Sequence, residues 1–404
     1  MIQYYSPNFS FLSLIRSLFV FDADKKIIAY FKEYTGKKYI LITHNCRTAL
    51  YLAYKALPAT GEVITNPLTC LVAMQPIVEA GNSIKYTDID PDTFIMQTKN
   101  LSNLMSENTI AIQATHQGGF LCNTAQIKEM IGSQNITLIE DCAQGFLSLL
   151  NNKKPGLYSD IACFSLIKNA FGIGGGILAT DSPSIYEFAK RINTQLQKNS
   201  LALIVFRIVR NIIETNRKLF FFNFFYNKLM LGRKNISSYK TGSISDNLTL
   251  RKPLKLELKI SWIQLQKADK LNKKRKKNAR LFLGKLRKVG LMNNYQGIEN
   301  QDSSFTKLFI AHKGYCSEHD IMELTKSGIE AKHLEQKYNQ FYQSRLDQMK
   351  DRRYVSNIHG CSNYLKIHDS LLSLPLTENM SEEEMDEIIV ALKRIRRDEK
   401  DYMV

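Results

Sequence analysis

The chain has 404 residues, 44% of them hydrophobic and 23% charged, the profile of an ordinary globular protein long enough for two or three domains. Its seven cysteines, an odd number with no CxxC pair, argue against a disulfide framework or a zinc site and suit a reducing cytoplasm. The net charge of +17 admits nucleic acid, an anionic membrane surface or a phosphorylated substrate as partner, but no paired Cys/His ligands and no aromatic-studded basic strand point to nucleic acid.

Residues 1 to 35 read as an arm followed by a helix. The apolar stretch Phe11 to Phe21 is broken by Arg16, follows no basic region and lacks a small-residue cleavage site, so no secretory signal is expected. Strand and helix signals then alternate. Strands are predicted at Tyr39 to Thr43, Glu62 to Asn66, Ser83 to Ile89, Ile110 to His116 and Ile136 to Glu140. Helices are predicted at Arg47 to Ala56, up to Ala80, and at Gln126 to Ile131. That alternation predicts an α/β domain with a mostly parallel sheet between helices, in which ligands gather outside the carboxyl ends of the strands.

Three strand ends carry residues capable of chemistry. The first is the turn Thr43-His44-Asn45-Cys46-Arg47-Thr48, where Asn45 suits an N-cap. The amides of Cys46, Arg47 and Thr48 there would form an anion site favoured by the helix dipole, as in any βα unit. The second is Ile139-Glu140-Asp141-Cys142-Ala143-Gln144, a buried strand ending in acid; a helix cap is the ordinary use of such an aspartate. The third is Asp160 to Thr180, DIACFSLIKNAFGIGGGILAT, where an apolar strand delivers Lys168 to a glycine-rich loop. A lysine desolvated at a strand end becomes a nucleophile toward carbonyls, whereas a lone lysine is ordinarily a solvated turn residue. Phosphate cup, carboxylate and lysine together are what pyridoxal 5'-phosphate (PLP) requires.

Several ordered segments strengthen that reading: GEVITNPLTCLVAMQPIVEAG (Gly61 to Gly81), YTDIDPDTF (Tyr86 to Phe94), IEDCAQG (Ile139 to Gly145), GLYSDIACFS (Gly156 to Ser165) and LLSLPLTENMSEEEMDEII (Leu371 to Ile389). With them the chain resembles the DegT/StrS sugar aminotransferase family over most of its length. The resemblance implies PLP fold type I: a large domain with a mostly parallel mixed sheet between helices, plus a smaller C-terminal α+β domain. The expected division is an arm and helix at 1–35, the PLP-binding domain at 36–199, an apolar, aromatic and basic insertion at 200–250 and the small domain at 251–404.

The resemblance also implies roles. Lys168 would carry the cofactor as a Schiff base and shuttle the proton. Asp141 would pair with the pyridinium nitrogen, Gln144 would lie beside the ring hydroxyl, and Ser165 with the Arg47 and Thr48 amides would hold the phosphate. It implies a homodimer, glutamate as donor and a nucleotide-linked keto-sugar as acceptor. Members that dehydrate deoxysugars carry His in place of the lysine, which Lys168 argues against. Asn45, Cys46 and Arg47 stand where Ser-Gly-Thr is usual, and the Arg47 side chain is a further candidate for the phosphate. Cys70 occupies the usual aromatic ring-stacking position. The lysine segment is shorter than usual, and Asn247 matches the neighbouring subunit's asparagine only by position.

Ser200 to Arg233 is apolar and aromatic but interrupted by Arg207, Arg210, Glu214, Arg217 and Lys218, so it is too short in apolar run to span a bilayer. It reads as a helical hairpin, either a core or dimer contact or a peripheral contact with an anionic membrane on its inner face. Lys267 to Lys288 reads as a basic helix whose apolar positions are Leu271, Ala279, Leu281, Phe282 and Leu286. In the small domain a strand is expected at Lys307 to His312, a helix at His319 to Ser327, and Lys332 and His333 are set near the substrate. Ser381 and Glu384 form a capping box for a C-terminal helix. An inert paralogue serving as a membrane-associated scaffold is the competing reading, drawn from Cys70, the altered turn and the insertion.

Overall fold

The computed structural model describes residues 2–216, 250–291, 301–311, 318–333, 358–368 and 371–401. The strands of the amino-terminal half are β1 (Tyr39–Thr43), β2 (Glu62–Thr65), β3 (Ser83–Tyr86), β4 (Thr109–Thr115), β5 (Thr137–Asp141), β6 (Leu149–Leu150), β7 (Ile161–Ser165) and β8 (Gly176–Thr180). Seven of them form one sheet in the order β1-β8-β7-β5-β4-β2-β3. All neighbours from β7 to β3 run parallel, while β8 is antiparallel to both β1 and β7. β7 and β8 are buried at every position, as expected for strands covered on both faces.

The helices between strands are capped as their sequences suggest. Asn45 accepts from the Thr48 amide at the start of the helix Cys46–Lys55. Ser182 caps Pro183–Gln195 with proline in its first turn, where no amide is needed. Gly36, at φ 71°, ends Ala23–Thr35 in the left-handed conformation that glycine adopts without penalty.

The remaining strands are β9 (Gln301–Asp302), β10 (Leu308–Ala311), β11 (Lys332–His333) and β12 (Leu371–Leu374). β12 is central and antiparallel to β10 and β11, and β9 pairs with β6. One apolar cluster runs from Ile139 and Leu41 under the large sheet to Phe309 and Leu372 in the small one. The capping box forms: Ser381 Oγ accepts from the Glu384 amide and Glu384 Oε2 from the Ser381 amide.

Two expectations need correction. First, residues 1–35 hold not one helix but two, Phe11–Leu18 and Ala23–Thr35, and the leading residues reach the small domain: Ile2 forms an isolated bridge with Ile329 and the Tyr4 hydroxyl lies 2.5 Å from Ser373 Oγ. Second, the basic helix starts earlier and runs Lys255–Lys288, with Leu281 exposed and Asn272, Arg275 and Lys276 buried beside Ala279, Phe282 and Leu286. These positions recur at helical spacing on one stripe, so Arg275 and Lys276 face inward although they stand in a run of cations. Of the insertion, one helix, Leu201–Thr215, is described; its remainder, with Arg217, Lys218 and Asn247, lies outside the described residues, as does His312.

Candidate active site

The strand register brings the three predicted segments to one edge. Thr43 pairs with Gly176 and Gly176 with Ser165, so the ends of β1 and β7 flank the start of β8. Asp141 pairs with Cys163 on one side and Thr115 on the other. The turn after β1, the acid ending β5 and the lysine after β7 therefore share the carboxyl edge of the parallel strands.

The turn after β1 is fixed by close packing. The Gly175 amide donates to His44 O at 2.8 Å, and a Cβ on Gly176 would fall 2.2 Å from the Asn45 carbonyl carbon and 2.5 Å from the Cys46 nitrogen. One predicted donor is lost: Asn45 Oδ1 accepts both the Thr48 amide at 2.9 Å and the Thr48 hydroxyl at 3.1 Å. The expectation that Thr48 offers its amide to an anion is thus corrected, because a capping side chain competes for the same N–H. The turn is electropositive. His44, buried with Nδ1 unpartnered among the described residues, is pushed down to about 4 by burial and by the charges of Arg207, Arg251 and Arg47.

Cys46 links the segments. Its thiol lies 3.6 Å from Asp141 Oδ1 and 3.4 Å from Cys163 O. Burial and the Asp141 carboxylate push this thiol well up, while the nearby Lys168 charge pulls the other way. Asp141 is buried; Oδ1 takes the Ala143 amide at 3.0 Å, and Oδ2 accepts no hydrogen bond from the described residues. Gln144 is buried too, with Oε1 receiving the Gly118 amide at 3.1 Å, which leaves its Nε2 donors for another acceptor. Ser165 Oγ receives the Ile167 amide at 3.3 Å and keeps its own proton to donate. Lys168 is half-buried. Cys70, also half-buried, precedes the helix Leu71–Glu79, and its turn is tied to the same edge by Thr69 Oγ1, 3.1 Å from Thr115 Oγ1.

Residues 23–202 and 255–393 match the model of the DegT/DnrJ/EryC1/StrS aminotransferase family. The chain belongs to that family. It is 32% identical over 161 residues to GDP-perosamine synthase of Escherichia coli O157:H7, a match covering 39% of this chain and 44% of the relative. The matched stretch is thus less than half the length of that relative. Among solved structures it is similar to GDP-4-keto-6-deoxy-D-mannose-3-dehydratase of E. coli with bound hydrated PLP, with a TM-score of 0.74, 20% identity and coverage of 97% and 100% of the two chains. It is also similar to Helicobacter pylori PseC, an aminotransferase of pseudaminic acid biosynthesis, with a TM-score of 0.72, 17% identity and coverage of 97% and 98%. Both show the PLP type I fold.

The family site fits PLP on this chain's own geometry. The buried residues Asp141 and Gln144 keep Oδ2 and Nε2 without a protein hydrogen bond among the described residues, the missing Gly176 side chain lets the loop close on the turn, and the charges of Arg207, Arg251 and Arg47 are felt at His44 in that turn.

Next to Asp141, Glu140 points into a different cluster. The Cys122 amide donates to His116 Nδ1 at 3.2 Å, so the proton sits on Nε2, which donates to Glu140 Oε2 at 3.2 Å. Cys142 Sγ lies 3.4 Å and the Gly156 amide 2.5 Å from the same oxygen. Although the His116, Glu140 and Cys142 donor atoms lie within 4.8 Å of one another, that tautomer turns a hydrogen, not a lone pair, toward the others. The cluster locks the ends of β4 and β5.

Sequence reading missed Glu378, in the loop after β12. It is 5% exposed, its Oε1 has no partner among the described residues, and burial pushes it up to about 7 against the pull of Arg275 and Lys274. A carboxyl raised above its unfolded value binds its proton more tightly when folded, so it opposes folding once ionised. Its contribution is fully present below about pH 4.5 and is lost as pH rises through 7, on the order of 3 kcal/mol in all. Glu378→Gln is therefore expected to leave the melting temperature unchanged at pH 4.5 and raise it at pH 8. Equal differences at both pH values in thermal melts would refute this.

Proposed function

We propose that the chain is a PLP-dependent aminotransferase that moves an amino group from glutamate to a nucleotide-linked keto-sugar, for surface polysaccharide or glycoconjugate synthesis. The observation that carries the reading is Lys168 on the loop after β7, at the same sheet edge as a buried Asp141 with an unfilled carboxylate oxygen. PLP bound here supplies an electron-accepting ring and the carbonyl that takes up the donor's amine. Asp141 Oδ2 would hold a proton on the ring nitrogen, Gln144 Nε2 would donate to the ring hydroxyl, and Ser165 Oγ with the Cys46 and Arg47 turn would hold the phosphate. The Lys168 amine, once free, would serve as the base that takes the donor's α-proton and as the acid that gives the proton back. The similar GDP-perosamine synthase and PseC support a nucleotide-sugar acceptor. The test is the visible spectrum of the protein with PLP: a band that glutamate bleaches and a keto-sugar nucleotide restores. A wild-type protein without any band would favour the inert paralogue, the reading that Cys70 in the stacking position supports.

We also propose a homodimer. The helix Phe11–Leu18 turns Ser13 and Ser17 inward, at 1% and 0% exposure, and Phe11 and Leu18 outward, at 67% and 58%; Phe19 and Phe21 follow at 73% and 74%. So inverted a face needs a cover, which a second copy supplies. Phe19→Ser combined with Phe21→Ser is expected to convert a dimer into a monomer in light scattering. A wild-type monomer that floats with anionic vesicles and is released by salt would instead make this face the peripheral membrane contact. Among the described residues no helix is long and apolar enough to cross a membrane.

A further inference from the structure

The loop that carries Lys168 is held by a cation that the chemistry described above does not use. Arg275, on the helix Lys255–Lys288, is 3% exposed. Its guanidinium donates to Asn169 Oδ1 at 2.6 Å, Asn272 Oδ1 at 2.9 Å and Ser304 O at 3.0 Å, and lies 5.4 Å from the centre of the Phe171 ring. All four partners are neutral; the Glu378 carboxyl feels the Arg275 charge but makes no direct ion pair with it, so the guanidinium's contacts are spent on geometry.

Two of these contacts fall at a strained point in the lysine loop and two residues before it. Asn169 directly follows Lys168, is fully buried, and its Nδ2 lies within 3.0 Å of Gln144 O, Phe146 O and Ser304 Oγ. Thr306 Oγ1 adds a contact of 2.8 Å to Asn169 Oδ1 and one of 2.7 Å to Gln144 O. Phe171 is fully buried at φ 55°, a left-handed conformation that a bulky residue keeps only where its surroundings impose it. The Arg275 fork holds Asn169 in plane while its face covers Phe171, so a single side chain braces both ends of this short, strained stretch.

We propose that Arg275 is a positioning residue for Lys168: through Asn169 and Phe171 it fixes the lysine loop against the segment that carries Asp141 and Gln144. The inference rests on Lys168 being the cofactor-bearing lysine. It makes the long helix part of the site's scaffold and gives one of the two buried cations of that run, Arg275, a use at the site.

The experiment compares wild type with Arg275→Lys and Asn169→Ala. It reads the melting temperature without PLP, the PLP dissociation constant by fluorescence, the pH midpoint of the visible band, and kcat and KM for glutamate. In variants that fold, PLP affinity is expected to fall about 10- to 100-fold, the worth of a lost charged hydrogen bond. The band midpoint should move, and kcat should fall while KM for glutamate stays within about twofold. A variant that melts as wild type, with unchanged PLP affinity and midpoint, overturns the proposal. Should Arg275→Lys fail to fold, Thr306→Val, which removes one hydroxyl from Asn169 Oδ1, must still weaken PLP; wild-type affinity there overturns the proposal equally. Wild-type protein that binds no PLP would overturn the aminotransferase reading itself, and this proposal with it.

Discussion

Lys168→Ala is expected to abolish the visible PLP band and to lower amino transfer from glutamate by at least about 10³-fold, the range lost with a positioned acid–base group. The side chain is half-buried on a loop whose neighbours do not depend on it: no other described residue takes a hydrogen bond from its amine, and Asn169 and Phe171 carry the packing. The variant should therefore fold and melt as wild type. That separates loss of chemistry from loss of structure. Retention of PLP by dialysis, without the band, would place the phosphate turn and Asp141 as sufficient for binding and the lysine as necessary for reaction. A variant that keeps both the band and transfer would remove Lys168 from the chemistry, and with it the proposed function.

Gly176→Ala is expected to be strongly destabilising, because among the described glycines its Cβ would make the closest approach to backbone atoms. Gly176 lies between two strand ends, paired with Thr43 and Ser165, and its added Cβ would meet the backbone of Asn45 and Cys46 at 2.2 to 2.5 Å. Backbone held in place by the hydrogen bond from Gly175 to His44 cannot step aside as the tip of a side chain can. Either the turn or β8 must shift, at a cost of roughly 2–4 kcal/mol, and the shift falls on the phosphate turn. Lower melting temperature and weakened PLP binding should appear together. Gly284→Ala is the control: nothing lies within 4 Å of its Cβ, and in a helix interior alanine is better by about 1 kcal/mol. Wild-type stability for Gly176→Ala would mean that the turn is looser than its contacts imply.

Much of the site was legible because short-range rules produce it. A stretch with apolar residues at Ile136, Leu138 and Ile139 that ends in Glu140-Asp141, and the apolar run that ends before Lys168, are strand signals whatever surrounds them. Asn45 before a helical pattern is a cap by its own chemistry, and the same chemistry removed the Thr48 amide from the predicted anion site. The error was to count the first-turn donors without subtracting the one its own cap consumes.

The run Lys273 to Lys277 shows where local reading stops. Composition marks it as a solvated face, yet Lys273, Lys274 and Lys277 are exposed while Arg275 and Lys276 are buried. Lys276 Nζ reaches Leu147 O at 2.9 Å and Asp302 Oδ2 at 2.6 Å. Helical spacing from Ala279 and Phe282 placed positions 275 and 276 on the inward stripe, but only partners brought from far along the chain make a buried cation tolerable. Glu378 belongs to the same class, since nothing near it in sequence foretells a burial that lifts it to about 7.

The sequence by itself determined the alternating strands and helices, the family, and the acid and lysine at strand ends, because these follow from periodicity and from residue chemistry within one element. The tertiary structure alone decided the order of strands that puts those ends on one edge, the inversion of the helix Phe11–Leu18, and the inward turn of Arg275. Each of these depends on which distant segment supplies the partner, and a hydrogen bond or a buried charge has no energy to offer until that partner is in place.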